Sequence, residues 1–137
     1  MKNLILTLAI LFSLNTNAQI KVEDTPKYDR IYQHKMGFHA IYKAIDSTST
    51  HEYILIFRDC QYQQIVEYKT IKFSSKQDVV DFFNLVKSVI ETKESKTLTF
   101  SDQTIDIISV SKNAKVFLGE GFCWFSTKWV QKCLDSL

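Results

Sequence analysis

The sequence predicts an α+β fold, in which a single antiparallel sheet of about six to seven strands packs against two helices. Three observations predict it: an amphipathic helix pattern in mid-chain, a second short one at the end, and several β-rich segments between short polar turns. Such tight links join antiparallel neighbours, because a parallel neighbour needs a crossover of a dozen residues or more.

The first residues predict a cleavable secretory signal. Lys2 gives a positive start, residues 4–14 form a mostly apolar run, and small and polar residues lead to Ala18. An apolar run this short cannot cross roughly 30 Å of hydrocarbon as a helix, which needs about twenty residues. We therefore expect a signal peptide over 1–18, cleaved after Ala18, and a periplasmic or secreted mature chain with no membrane span.

The start of the mature chain is less regular. Residues 19–27 are polar and hold the only proline, which predicts an N-terminal arm before a single domain over 28–137. Both helix and strand patterns fit residues 28–45. Because Gly37 interrupts the helical spacing, we favour a strand at 38–45.

Two more strands are expected before the first helix. Residues 52–58 are dense in β-formers, which predicts a central strand covered on both faces. Residues 59–61 then turn the chain into a long strand over 62–73.

A helix from residue 76 to about residue 91 has the clearest pattern. Ser75 is a good N-cap, and Asp78 is placed to complete a capping box. Six apolar residues follow at helical spacing, with polar residues opposite. They are Val79, Phe82, Phe83, Val86, Val89 and Ile90.

Short strands and a last helix complete the chain. Polar turns separate four β-rich segments, at 96–100, 104–111, 115–118 and 122–126. Residues 127–137 place Trp129 and other apolar side chains on one helical face. A helix this short is marginal alone in water, so we expect it to dock on the sheet.

Composition narrows the classes of partner. The chain has 17 Lys and Arg against 15 Asp and Glu, and loss of Lys2 with the signal lowers the net charge from +2 to +1. Charges of both signs are mixed along the chain, so the basic patch typical of nucleic-acid binding is not predicted. Gly119-Glu120-Gly121 lacks the following helix that a phosphate loop needs, and no cofactor is expected.

Metal binding and histidine-based catalysis have no motif behind them. His34 and His39 are five residues apart, a spacing that neither a helix nor a strand brings neatly onto one face. His51 follows a Ser/Thr-rich loop, and zinc would need three or four converging ligands. We therefore expect no metal site.

Three cysteines remain in the mature chain: Cys60, Cys123 and Cys133. In an oxidising compartment an odd count allows at most one internal disulfide and leaves one thiol. Two pairings stay open, Cys123 with Cys133 and Cys60 with Cys123, beside three buried thiols without a bridge. Cys60 lies close to Arg58, whose charge favours a thiolate, whereas Cys123 lies in apolar surroundings that make a thiol inert.

Aromatic residues concentrate on the last strands. In a strand over 122–126, Phe122 and Trp124 face one way while Cys123 and Phe125 face the other. Since both faces are apolar, one of them is either covered by the protein or open to a partner. The candidate binding residues are Trp124, Phe122, Tyr68 and Glu120.

These patterns favour a small exported, non-enzymatic binding or interaction protein. Its partner would be another envelope protein or a small ligand, and an immunity-type protein that blocks a toxin is one version. One alternative is a hydrolase that uses Cys60 or Cys123 as nucleophile with a histidine as base. The other alternative is a structural protein of the cell envelope.

Overall fold

A computed structural model describes residues 25–47 and 49–137. The expected signal peptide over 1–18, its cleavage after Ala18, and residues 19–24 of the expected N-terminal arm lie outside these residues. Periplasmic or secreted localisation therefore remains a prediction.

The described residues form eight strands and two helices, which we number in chain order. They are β1 (Tyr28–Gln33), β2 (His39–Ala44), β3 (Tyr53–Arg58), β4 (Tyr68–Phe73), α1 (Lys76–Thr92), β5 (Lys96–Phe100), β6 (Gln103–Val110), β7 (Asn113–Leu118), β8 (Gly121–Ser126) and α2 (Thr127–Asp135).

The α+β class is confirmed, but the prediction of a single sheet is wrong. Strands β1 to β4 form one antiparallel sheet in chain order, and β5 to β8 form a second. The break falls at α1, which separates β4 from β5, so no hairpin pairs these two strands. The side chain of Gln103 bonds to the edge of β4 instead: Oε1 accepts from Lys72 N at 2.8 Å, and Nε2 donates to Thr70 O at 3.0 Å. One amide side chain thus satisfies backbone groups that another strand would have paired.

The observed bounds of β2 agree with the prediction better than those of β4. β2 occupies most of the strand expected at 38–45. The strand expected over 62–73 begins only at Tyr68, because Asp59 N donates to Glu67 O at 2.7 Å and closes the chain between them into a loop.

β3 lies inside its sheet, but the expectation that both of its faces are covered is wrong. Tyr53, Leu55 and Phe57 are buried, whereas Ile54 and Ile56 on the opposite face are only half-buried. One face of the first sheet therefore joins the core and the other meets solvent in part, as is common for antiparallel sheets.

Both helices begin at a serine cap. Ser75 Oγ accepts from Asp78 N at 3.3 Å, and Ser75 N donates to Asp78 Oδ2 at 3.1 Å, which completes the capping box at α1. Ser126 Oγ accepts from Trp129 N at 3.3 Å at the start of α2. Within residues 25–47 and 49–137, neither helix has the length and apolar composition needed to cross a membrane.

One hydrophobic core joins the two sheets and the two helices. The apolar stripe of α1 enters it, including Phe83, as do Leu55 and Phe57 of the first sheet and Ile107 and Phe125 of the second. Both sheets therefore bury side chains in the same core.

A candidate binding cavity where the two sheets meet

The loop after β3 fastens the first sheet to the first residues of β8. Asp59 is 2% exposed, and its Oδ1 accepts from Gln61 N at 2.8 Å and from Phe122 N at 3.1 Å. Cys60 N donates to Phe122 O at 2.8 Å. A Cβ at Gly121 would lie 2.5 Å from Asp59 Oδ2, so this close approach requires glycine.

This junction encloses a cavity of about 250 Å³, which we call the junction cavity. Its mostly apolar walls come from four separate parts of the chain. Arg58 N donates to Phe38 O at 2.7 Å, which places Phe38 at the end of the first sheet, beside Cys60. The lining residues are Phe38, Cys60, Asn113, Cys123, Trp124 and Trp129.

A second recess of about 330 Å³ adjoins the junction cavity and shares Phe38, Cys60 and Trp124 with it. This outer recess is more polar, since Arg58 and Asp59 also line it. Tyr62 and Gln63, which complete its wall, lie in the exposed loop between β3 and β4. The two spaces together offer an apolar interior and a polar entrance beside a guanidinium group.

Trp124 and Phe122 lie on the half-buried face of β8, while Cys123 and Phe125 are fully buried on the other. The Phe122 ring lies 5.2 Å from the Phe117 ring and 6.1 Å from the Trp124 ring. Lys115 Nζ lies 4.6 Å from the ring centroid of Phe122 and 4.7 Å from that of Trp124. These cation–π contacts hold the tryptophan in place at the cavity wall.

Cys60 and Cys123 both line the wall of the junction cavity. The hydrogen bond with Cys123 lowers the pKa of the half-buried Cys60 thiol, and burial opposes this effect. The same hydrogen bond, together with burial, raises the pKa of Cys123 far above its ordinary value. Cys133 is fully buried on α2, and its burial raises its pKa to about 12.

Two histidines pack behind the cavity wall. The His34 ring lies 4.3 Å from the ring of Trp129 and 5.5 Å from that of Phe38, so it supports two lining residues without lining the cavity itself. The His39 ring lies 4.7 Å from that of Phe125 and is 1% exposed. Burial lowers the pKa of His39 to about 3, so its imidazole is neutral near neutral pH.

The structure separates the four candidate binding residues. Trp124 lines both spaces, and Phe122 contacts it on the same face. Tyr68 is 58% exposed at the start of β4 and lines a different recess, with Ala40, Tyr42 and Ile56 among its neighbours. Glu120 is exposed in the turn before β8 and lines neither space.

Sequence reasoning missed Phe38, Arg58 and Trp129 as residues of one site. The sequence indicates Arg58 only as a charge beside Cys60, and Trp129 only as a docking residue of the last helix. The sequence holds no local signal that joins these positions, because they lie on different elements and meet only through the fastening of β3 to β8.

Comparison of the chain with protein-family models, with curated proteins and with solved structures found no significant match. Among residues 25–47 and 49–137, no three histidine, cysteine, aspartate or glutamate side chains come together as a metal site would require. We therefore infer function from the geometry of the cavity.

Proposed function

We propose that the protein is a non-enzymatic binding module whose ligand is an amphiphilic small molecule. The apolar part of the ligand would enter the junction cavity among Phe38, Trp124 and Trp129, and a polar or anionic group would remain near Arg58. The apolar, aromatic lining of this cavity is the observation that carries the proposal.

The sizes and chemistry of the two spaces support such a ligand. Small-molecule sites are mostly apolar concavities of about 300–1,000 Å³ with a few polar groups that fix orientation. The junction cavity of about 250 Å³ and the adjoining recess of about 330 Å³ together fall in this range. Aromatic rings offer large contact areas at low entropic cost, which makes Trp124 and Trp129 suitable anchors.

Binding is favoured over the thiol-dependent hydrolase. A catalytic cysteine needs a base within hydrogen-bond reach, and none of the residues that line either space is a histidine. The Asp59 carboxylate already accepts hydrogen bonds from two backbone amides. Cys60 thus has an accessible thiol without a base positioned beside it.

The probe anilinonaphthalene sulfonate, which combines apolar rings with an anionic group, tests the proposal. We expect the folded protein to enhance its fluorescence, and Trp124→Ala to weaken binding about tenfold or more, a loss of about 1.4 kcal/mol. Arg58→Ala should weaken it less, because the guanidinium stands at the solvent-exposed entrance.

Tyr68→Ala is the matched control, since it removes an aromatic ring that lies outside both spaces. Near-ultraviolet circular dichroism of each variant verifies that the fold is retained. Equal affinity of the wild-type protein and folded Trp124→Ala for the probe would overturn the proposal.

Export is part of the same proposal, because a periplasmic or secreted binding protein must leave the cytoplasm. N-terminal sequencing of the protein from its native cell should give Gln19 as the first residue. A protein that retains Met1 in the cytosolic fraction would remove this part of the proposal while leaving the cavity test unaffected.

A further inference from the structure

Cys60 and Cys123 are 63 positions apart in the sequence, and Cys60 follows a strand of the first sheet whereas Cys123 lies in a strand of the second. The fold brings them together, since Cys60 N donates to Phe122 O at 2.8 Å and so places Cys60 beside the residue before Cys123. Both residues also line the junction cavity. Cys133 does not line it.

We propose that Cys60 and Cys123 are a thiol–disulfide exchange site that closes into an intramolecular disulfide between the end of β3 and β8. The reacting partner is a disulfide-bearing oxidant, either a low-molecular-weight disulfide or the disulfide of a thiol oxidase. The two protein thiols lose two electrons and two protons to form one S–S bond, and the oxidant's S–S bond is reduced to two thiols. This inference does not rest on the proposed ligand.

The two cysteines have different environments, which assigns their roles. Cys60 is half-buried and lines both spaces, so an oxidant can reach it, whereas Cys123 is 0% exposed. The hydrogen bond with Cys123 lowers the pKa of Cys60, which raises the fraction of the attacking thiolate. Cys60 therefore attacks the oxidant first, its sulfur joins one sulfur of the oxidant, and the other leaves as a thiol.

Formation of this mixed disulfide prepares the second step. The Cys60 hydrogen bond is the largest cause of the raised pKa of Cys123, and the charge of Cys60 adds to it. Capping the Cys60 sulfur removes its charge and its hydrogen bond, so the largest cause that opposes ionisation of Cys123 is lost, while burial and Cys133 continue to oppose it. Cys123 then loses its proton and attacks the Cys60 sulfur, and the remaining half of the oxidant leaves as a second thiol.

The bridge would constrain a long part of the chain. It would enclose β4, α1 and β5 to β7, and it would tie the loop after β3 covalently to β8. Closing so long a loop restricts the unfolded chain strongly, and we expect the oxidised protein to have a Tm about 10 °C above that of the reduced protein.

The experiment uses the full chain, reduced completely and then equilibrated in oxidised and reduced glutathione near neutral pH. Maleimide labelling under denaturing conditions followed by peptide mass mapping counts the free thiols and identifies any bridge. We expect the three free thiols of the reduced protein to fall to one, on Cys133, with Cys60 and Cys123 in one cross-linked peptide. Cys133→Ala should form the same bridge, and in Cys60→Ser the Tm should not respond to glutathione.

Three results would overturn the proposal: three free thiols under oxidising glutathione, a stable glutathione adduct on Cys60 without closure, or a bridge that includes Cys133. If Cys133→Ala does not fold, the cross-linked peptide of the wild-type protein still shows whether the bridge joins Cys60 to Cys123 or includes Cys133. Probe binding measured separately distinguishes a failure of this inference from a failure of the proposed ligand binding.

Discussion

His39 should make the stability of the fold depend on pH. Its side chain is 1% exposed, and neither ring nitrogen has a hydrogen-bond partner among the described residues. Burial, together with the neighbouring His34, lowers its pKa from 6.5 to about 3. At about pH 5 the imidazole is therefore neutral in the folded protein but protonated in the unfolded chain.

The sign and size of the effect follow from this difference in pKa. Between pH 6.5 and about pH 3 the unfolded state binds more protons than the folded state, so the free energy of unfolding falls as the pH falls. From about pH 7.5 to about pH 5, the loss at His39 amounts to about 2 kcal/mol. Burial also lowers the pKa of His34, which adds a contribution of the same sign.

His39→Phe removes the titrating group and keeps a ring that can pack against Phe125. We expect the variant to lose about 2 kcal/mol less stability than the wild-type protein between the two pH values. His39→Leu is a second variant in case the larger ring overpacks the site. His51→Gln, a change at a half-buried histidine in the loop before β3, is the matched control for the loss of an imidazole elsewhere in the chain.

Urea unfolding monitored by tryptophan fluorescence at both pH values measures these free energies. The comparison of variant with wild type isolates His39, because every other ionisable group is common to both proteins. If His39→Phe and His39→Leu both keep the full wild-type loss, the assignment of the pH dependence to His39 is wrong.

Two further predictions concern the contacts that hold β8 and α1. Gly121→Ala should cost about 1–3 kcal/mol, because its Cβ would displace the Asp59 carboxylate that accepts from Phe122 N. Asp59→Ala should lower the free energy of unfolding by a similar amount. Because both changes break the same contact, thermal unfolding should show that the double variant is destabilised by less than the sum of the two single variants. Destabilisation equal to that sum would contradict a shared contact. Ser75→Ala should cost about 1 kcal/mol by breaking the capping box. In urea unfolding the exposed Ser88→Ala on the same helix should be near neutral, and an equal cost for both changes would refute the capping role.

Local sequence patterns predict the helices and hairpins whose stability depends on residues close to one another in the chain. The helix expected from 76 to about 91 extends over Lys76–Thr92, because its cap and its apolar stripe both lie within the segment itself. The hairpins of the second sheet were also predictable, since short polar turns join their strands. At the first of these turns Ser101 and Asp102 both adopt positive φ, the conformation that such tight turns require.

The candidate site was predictable only in part. Trp124 was predictable as a binding residue because its strand is apolar on both faces, so that one face must be either covered by the rest of the protein or open to a partner. Phe38, Arg58 and Trp129 carry no such local signal. Tyr68 and Glu120 have patterns typical of exposed strand and turn positions, and the structure places both outside the junction cavity.

The sequence by itself determined the α+β class, the two described helices and the antiparallel pairing of neighbouring strands, because caps, periodicity and turn length act over a few residues. Only the tertiary structure decided that the strands form two sheets, that Asp59 fastens β3 to β8, and that Cys60 and Cys123 line one cavity. These features depend on contacts between residues far apart in the chain. Such contacts are selected by the packing of the shared core, where each side chain is placed by neighbours that no short segment contains.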